Sequence, residues 1–516
     1  MGTSDVRGAE PVAATGSAPP ATAPATPDLP VFAWRPVAVV AAAMGLLRLL
    51  TNPLFDYGGD ELYFLSVGKH HLGDSYADQP ALVPALARLT DAIAPGSQTV
   101  LRLPSVLVMV AALMITALIA REFGGGRGAQ VLATVVFATS SFFSLGARMN
   151  THPYEVFVWT ALTWLLVRWV RTRDDRLLLG AGVVTAVGLQ ITLHFLEFWA
   201  VAVVCLLAAG PRDLLRRPLL WAAGGIAVLA LVPNLIWQAG HGWRHVERIT
   251  ETSGEGDAVL NRAAFVPMAL VYAGLVVAAA LVVYGVWRLL RSPDLRPYRF
   301  FGWLAVGLAV LYIAANGKGY YAMGLYPLCW AAAATELAGR AHGRGRRRVF
   351  WAALGVSTVI TLAPTLSADA MVPHWKRQVA DVFTVYERLP ADRRAATAVV
   401  AHQYGMATAV DWYGPDRGIP RAYSPEAGYW YFGRPPDTAT TVVYVGSTRE
   451  DLLRYFRDVR EAGRVVDGNW LEKGAAGETI WVCSGLRRPW ADTWEEMRRV
   501  ELSGQTGHGS DGKSIR

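Results

Sequence analysis

Apolar residues in this chain gather into runs of roughly 15 to 25, the length that crosses a bilayer as a helix, and polar residues collect between the runs. The runs lie near residues 32–52, 100–120, 129–147, 154–170, 177–192, 194–210, 218–237, 264–288, 300–315, 322–339 and 349–366. They predict about eleven transmembrane helices and a polytopic α-helical membrane protein. Little separates the two runs across 177–210.

Between the first two runs lie about 45 residues, long for a bilayer connector. Within them, ELYFLSVGKHHL and ALVPALARLTDAI show helical apolar spacing with polar interruptions. That spacing predicts two interfacial helices in the first external loop. Beyond residue 366 the pattern changes. Short β-rich pieces, TAVVAHQY, TTVVYVG and ETIWVCSG, alternate with helical patterns such as DLLRYFRDVREAG. They predict a small C-terminal α/β domain. The chain therefore divides into a disordered tail over 1–30, a transmembrane domain over 31–366, an α/β domain over 367–503 and a disordered tail over 504–516.

Composition supports a membrane protein. Residues are 53% hydrophobic and only 17% charged, against about a quarter charged in soluble domains. A net charge of +8 would suit nucleic acid, but the arginines sit between apolar runs. REFGGGRGA, RTRDDR, GPRDLLRRP, RLLRSPDLRPYR and RAHGRGRRR fall in alternate loops. Alternate basic loops set orientation, so the N-terminus is expected in the cytoplasm. An odd number of spans then places the C-terminal domain, and the long first loop, outside. Residues 1–30 have no apolar core of a signal peptide, so the first run is expected to serve as an uncleaved anchor. Cys205, Cys329 and Cys483 form no disulfide framework or CxxC pair. The glycines of Gly124 to Gly128 lack the Lys-Ser/Thr ending of a phosphate loop and predict a tight turn.

The candidate chemistry lies in YGGDELYF, which sets Asp60 and Glu61 just past the first run. Taken alone, such carboxylates are solvated charges or helix N-terminal charges. Adjacent residues do not share a helix face. Glu61 is therefore expected to orient the loop while Asp60 faces a substrate, with Glu61 kept as a second catalytic candidate. Asp78, Gln79 and Pro80 open the next apolar stretch, where Asp78 could cap a helix or hold the loop closed over Asp60.

YGGDELYFLSVGKHHLGDSYADQPALVPALARL resembles the first external loop of bacterial family 39 glycosyltransferases, relatives of protein O-mannosyltransferases and aminoarabinose transferases. LRLPSVL, AREFGGGRGAQVLA, PNLIWQAGHGW, GKGYYAMGLYPLCWAAAA and YGMATAVDWYGPDRGIPRAYSPEAGYWYFG extend the resemblance, less specifically, over nearly the whole chain after residue 36. It implies a GT-C fold. It also implies an enzyme of the bacterial plasma membrane that moves a sugar from a polyprenyl-phosphate carrier to an acceptor hydroxyl on the extracytoplasmic face, using no cofactor and no catalytic metal. Asp60 matches the family's base. An alcohol needs a base to become a nucleophile, whereas a phosphate leaving group needs cations and hydrogen-bond donors rather than an acid. One carboxylate therefore suffices for a single inverting displacement.

Lys318, Tyr320 and Tyr321 match the family's phosphate-proximal segment. Their plainer reading is a snorkelling lysine and an aromatic belt. Arg102, at the outer start of the second run, is a further substrate-binding candidate whose plainer reading is an anchor. His194 stands where some relatives carry Lys, and RMNTHPYE has His152 and Glu155 where several carry Asp. These departures leave open the sugar and the acceptor, which could be a protein, a glycan or a lipid. A transporter or lipid flippase is the alternative from another class, but no pair of similar hydropathic halves is visible. A membrane scaffold would leave the first-loop pattern unexplained.

Overall fold

The structure, a computed structural model, describes residues 2, 29–141, 148–245, 258–339, 344–363, 374–419, 421–466 and 475–507. Most of the two expected tails lies outside these residues. The last helix runs to Gly507, past the expected boundary at 503.

The membrane half is a helical bundle. Its helices are α1 (Trp34–Thr51), α2 (Gly59–His70), α3 (Leu82–Ile93), α4 (Gln98–Glu122), α5 (Arg127–Ala138), α6 (Thr151–Thr172), α7 (Arg176–Leu189), α8 (His194–Ala209), α9 (Pro218–Gly240), α10 (Ala258–Gly274), α11 (Val277–Arg291), α12 (Arg299–Ala314), α13 (Tyr326–Ala338) and α14 (Arg344–Leu362). Among the described residues, four helices are long and apolar enough to cross a membrane singly: α1, α4, α9 and α12 with its leading turn. The shorter apolar helices pack beside them. Long Leu, Val and Trp side chains on α1, α9 and α10 face outward, as lipid-facing positions do.

One expected span is not a straight helix. The run at 264–288 becomes α10 and α11, bent by 112° at a short break. Gly274 lies at the break with φ +111°, a conformation open to glycine, and its Cα face approaches Ser140 and Ser141 so closely that a Cβ would sit 3.3 Å from Ser140 Cα. Periodicity could not show this, because the residues on both sides are uniformly apolar.

α4 and α13 form the centre. α4 packs against α1, α5, α6 and α13, and α13 also lies on α11 and α5. Every residue of α13 from Tyr326 to Ala334 is buried. Its run of alanines lets neighbouring backbones come close. At the crossing with α11, a Cβ on Gly285 would lie 2.0 Å from the Cys329 carbonyl oxygen.

The C-terminal half is a five-stranded mixed sheet. Its strands are β1 (Thr397–Ala401), β2 (Ala422–Tyr423), β3 (Thr441–Val445), β4 (Phe456–Arg464) and β5 (Thr479–Leu486), in the order β2-β1-β3-β5-β4. β1 pairs parallel with β2 and β3, while β5 runs antiparallel to both β3 and β4. Helices α15 (His374–Glu387), α16 (Tyr404–Tyr413), α17 (Arg449–Tyr455) and α18 (Trp490–Gly507) accompany the strands. The three β-rich pieces read from sequence are β1, β3 and β5. DLLRYFRDVREAG is not one helix: α17 stops at Tyr455 and β4 begins at Phe456. The partner strand overrides helical spacing here, since β5 has an open edge that Phe456 to Arg464 pairs with.

Candidate active site

The site begins at the exit from α1. Asn52 to Leu54 form a short turn, the chain extends through Phe55, and α2 starts at Gly59 with Gly58 as its N-cap. Glycine has no side chain to cap with, so Glu61 reaches back and accepts the Gly58 N–H at 2.9 Å. The first turn of α2 thereby gives its two carboxylates different surroundings. Glu61 is 1% exposed and Asp60 is exposed.

Glu61 is fully engaged. Arg102 donates from Nε to Oε1 at 2.8 Å and from Nη2 to Oε2 at 2.7 Å, a two-pronged pair, and the Met149 N–H donates to Oε1 at 2.9 Å. Burial alone would push the Glu61 carboxyl up. The Arg102 charge and hydrogen bonds, the Arg148 charge and the Gly58 N–H hold it below the usual carboxylate range instead. Arg102 also donates to the carbonyls of Asn52, Phe55 and Asp56. It joins the end of α1, the start of α2 and the loop before α6. This placement corrects the expectation for Arg102: its guanidinium is consumed in holding the first loop and does not line the cavity described next.

A cavity of about 610 Å³ opens beside this loop, lined by Gly58, Gly59, Asp60, Glu61, Arg148, Asn150, Tyr272, Trp375, Gln403, Tyr404, Gly405 and Glu426. Of the residues singled out from sequence, it brings together Asp60 and Glu61. The Arg148 guanidinium lies against Gly58, where a Cβ would be 2.9 Å from Nη1. The cavity thus has both the exposed carboxylate of Asp60 and the cation of Arg148 in its lining.

The other expected residues lie around it. Tyr320 sits in the turn Gly319–Leu325, edge-on to Tyr272 of the cavity at 5.6 Å and to His152 at 4.9 Å. Burial, with the charges of Tyr321 and Asp60, pushes its hydroxyl pKa up. Lys318 is the N-cap residue of that turn. Tyr321 faces away, 4.4 Å from the His194 ring, and His194 Nδ1 pairs with Glu197 at 3.0 Å. His194 is therefore separated from the cavity by the tyrosine layer. Asp78 follows the turn Leu72–Ala77 and lies under Gly428, whose Cβ would be 2.6 Å from Asp78 Cβ. It supports the C-terminal domain at that point and is not part of the cavity wall. Among the described residues, no group of three His, Cys, Asp or Glu side chains is placed to share a metal ion.

Sequence reading missed most of this cavity. Arg148 and Asn150 stand in the RMNTHPYE loop, whose basic residue was the available signal. Trp375, Gln403, Tyr404 and Glu426 come from the C-terminal domain, distant in sequence from Asp60, and only docking brings them in. That docking is extensive. α16 lies on α2, Tyr63 meets Tyr404 edge-on at 5.4 Å, and His71 stacks on Phe432 at 4.6 Å. Asp411 on α16 accepts from Ser66 on α2 at 3.1 Å and from Tyr429. α2 is consequently buried from Glu61 to Gly68 rather than lying open along a membrane surface.

Solved structures share this fold. ArnT from Cupriavidus metallidurans, bound to undecaprenyl phosphate, superimposes with a TM-score of 0.56 over 86% of this chain and 97% of its own, at 12% identity. The apo state of ArnT gives the same figures. This chain has the GT-C fold. The arabinofuranosyltransferase AftD from Mycobacteria is also similar, with a TM-score of 0.50 and 15% identity over 89% of this chain, which spans 40% of AftD. In sequence, the dolichyl-phosphate-mannose-protein mannosyltransferase family matches residues 78–237 of the GT-C bundle. The matched segment begins at Asp78, beyond Asp60 and Glu61. No curated protein matches the chain in sequence.

Proposed function

We propose that this protein is a membrane glycosyltransferase that moves a sugar from a polyprenyl-phosphate carrier to an acceptor hydroxyl at the extracytoplasmic face of the bacterial plasma membrane. The observation that carries this reading is the split of the two first-loop carboxylates. Glu61 is committed to Arg102, and Asp60 is exposed on a cavity that also holds Arg148. The family match and the GT-C fold agree with the donor class.

Asp60 accepts the proton of the acceptor hydroxyl as its oxygen bonds to the anomeric carbon. The bond from that carbon to the phosphate oxygen breaks in the same step, with inversion, and the lipid phosphate leaves with the electron pair. Arg148 lies in the cavity where a departing phosphate needs charge. Lys318 and Tyr320, in the adjoining turn, support the phosphate from the membrane side. Glu61, Arg102 and Asp78 position the loop and the domain above it.

The test is transfer from radiolabelled polyprenyl-phosphate sugars in membranes containing wild type or Asp60→Asn at equal folded levels. Loss of transfer by about 100-fold or more in Asp60→Asn is expected from removal of a general base. Unchanged transfer would remove Asp60 from the mechanism.

A further inference from the structure

The cavity has two walls of different origin. The membrane half supplies Asp60, Arg148, Asn150 and Tyr272, and the C-terminal half supplies Trp375, Gln403, Tyr404, Gly405 and Glu426. The groups of the second wall are held in fixed positions. Glu426 Oε2 accepts the Tyr404 N–H at 2.6 Å, and the Glu426 N–H is itself held by Ser424 Oγ at 3.2 Å. The Gln403 carboxamide donates to Glu478 at 2.9 Å. Tyr404 is braced against Tyr63, and the Trp375 indole lies against Gly405, where a Cβ would be 2.9 Å from Cη2. The link through Asp411, Tyr429 and Ser66 fixes this wall relative to α2, and so relative to Asp60.

We propose that Gln403, Tyr404 and Glu426 form a subsite for a neutral sugar ring. A carboxylate and a carboxamide side by side accept and donate to neighbouring hydroxyls, and an aromatic ring covers the C–H face of a sugar. A further carboxylate in a cavity already lined by Asp60 and Glu61 disfavours an anionic ring, since Arg148 is the cavity's one cationic side chain among the described lining residues. The subsite rests on the glycosyltransferase reading for its purpose, since the ring could belong either to the donor or to a glycan acceptor. In both cases the C-terminal domain is part of the substrate site rather than an appendage.

Binding of simple glycosides tests this without turnover. Methyl α-mannopyranoside and methyl α-arabinofuranoside serve as probes for the full-length protein in detergent, followed by saturation-transfer NMR. The variants are Glu426→Gln, which keeps an acceptor for the Tyr404 N–H, Gln403→Ala, and Glu450→Gln as an exposed control. Saturable binding of at least one probe is expected, weakened about tenfold by Glu426→Gln, the size of a lost charged hydrogen bond, and weakened by Gln403→Ala. Glu450→Gln should leave it unchanged. Equal binding in all variants, or no saturable binding of either probe, overturns the subsite. A protein that transfers sugar while its probe binding ignores Glu426 retains the proposed function and loses the subsite; one that binds through Glu426 and transfers nothing does the reverse. Adding polyprenyl-phosphate mannose then assigns the ring: displacement of the probe marks the donor's sugar, and retention marks the acceptor's.

Discussion

Arg102 grips Glu61 through two parallel hydrogen bonds of 2.8 and 2.7 Å, with both side chains 1% exposed. The pair joins the second membrane helix of the bundle to the loop that carries Asp60. Breaking a buried pair from one side leaves a charge without its partner, which costs about 3–5 kcal/mol. Arg102→Met should therefore lower the thermal unfolding midpoint strongly and release the loop. Arg102→Lys should recover little, because an ammonium cannot bridge both oxygens and three carbonyls. Unfolding followed in detergent for both variants checks this; a midpoint for Arg102→Met equal to wild type would show that the pair does not hold the loop.

Gly285 marks a close helix approach in the membrane half. A Cβ there would press on the Cys329 backbone carbonyl at 2.0 Å, and a helix backbone cannot yield as a side chain can. Gly285→Ala should separate α11 from α13 and cost about 1–3 kcal/mol or more. Gly225 on α9 has open space at its Cβ position, so Gly225→Ala is the control. The two variants should differ in detergent stability, with Gly225→Ala near wild type.

The Asp411 carboxyl, where the C-terminal domain meets α2, is pushed up to about 6 by burial, against the hydrogen bonds from Tyr429, Ala422 and Ser66. The folded state thus holds this proton more tightly than the unfolded chain, whose aspartate titrates near 3.8. The proton count favours the folded form between those values, so stability falls as pH rises from about 4 to about 6. The change is on the order of 3 kcal/mol. Asp411→Asn should remove that slope. Midpoints measured from pH 4 to pH 7 should show wild type gaining on Asp411→Asn as the pH falls through this window.

The proposed orientation can be read with one added thiol. Cys205, Cys329 and Cys483 are all buried, so background labelling is low. Glu450 is exposed in the first turn of α17, on the C-terminal domain. Glu450→Cys in intact cells should react with a membrane-impermeant thiol reagent. Reaction only after lysis would place the C-terminal domain in the cytoplasm.

Most of the elements and the helical membrane class were legible in the sequence alone. Membrane-length apolar runs need helices because no water can satisfy a bare backbone in lipid, and the short alternating pieces TAVVAHQY, TTVVYVG and ETIWVCSG have the period of strands. The sequence also carried the expectation that Asp60 and Glu61 differ in surroundings, since adjacent helical residues do not share a face. Tertiary structure decided the rest. It chose the role of Arg102, because only the fold brings the start of α4 against the end of α1. It bent 264–288 where uniform hydropathy carries no mark, and it turned Phe456 to Arg464 into a strand because β5 offered an edge. It completed the cavity with Gln403, Tyr404 and Glu426, more than 300 residues from Asp60. Period and propensity are local properties of a chain, whereas a cavity is made by packing between segments that no local pattern connects.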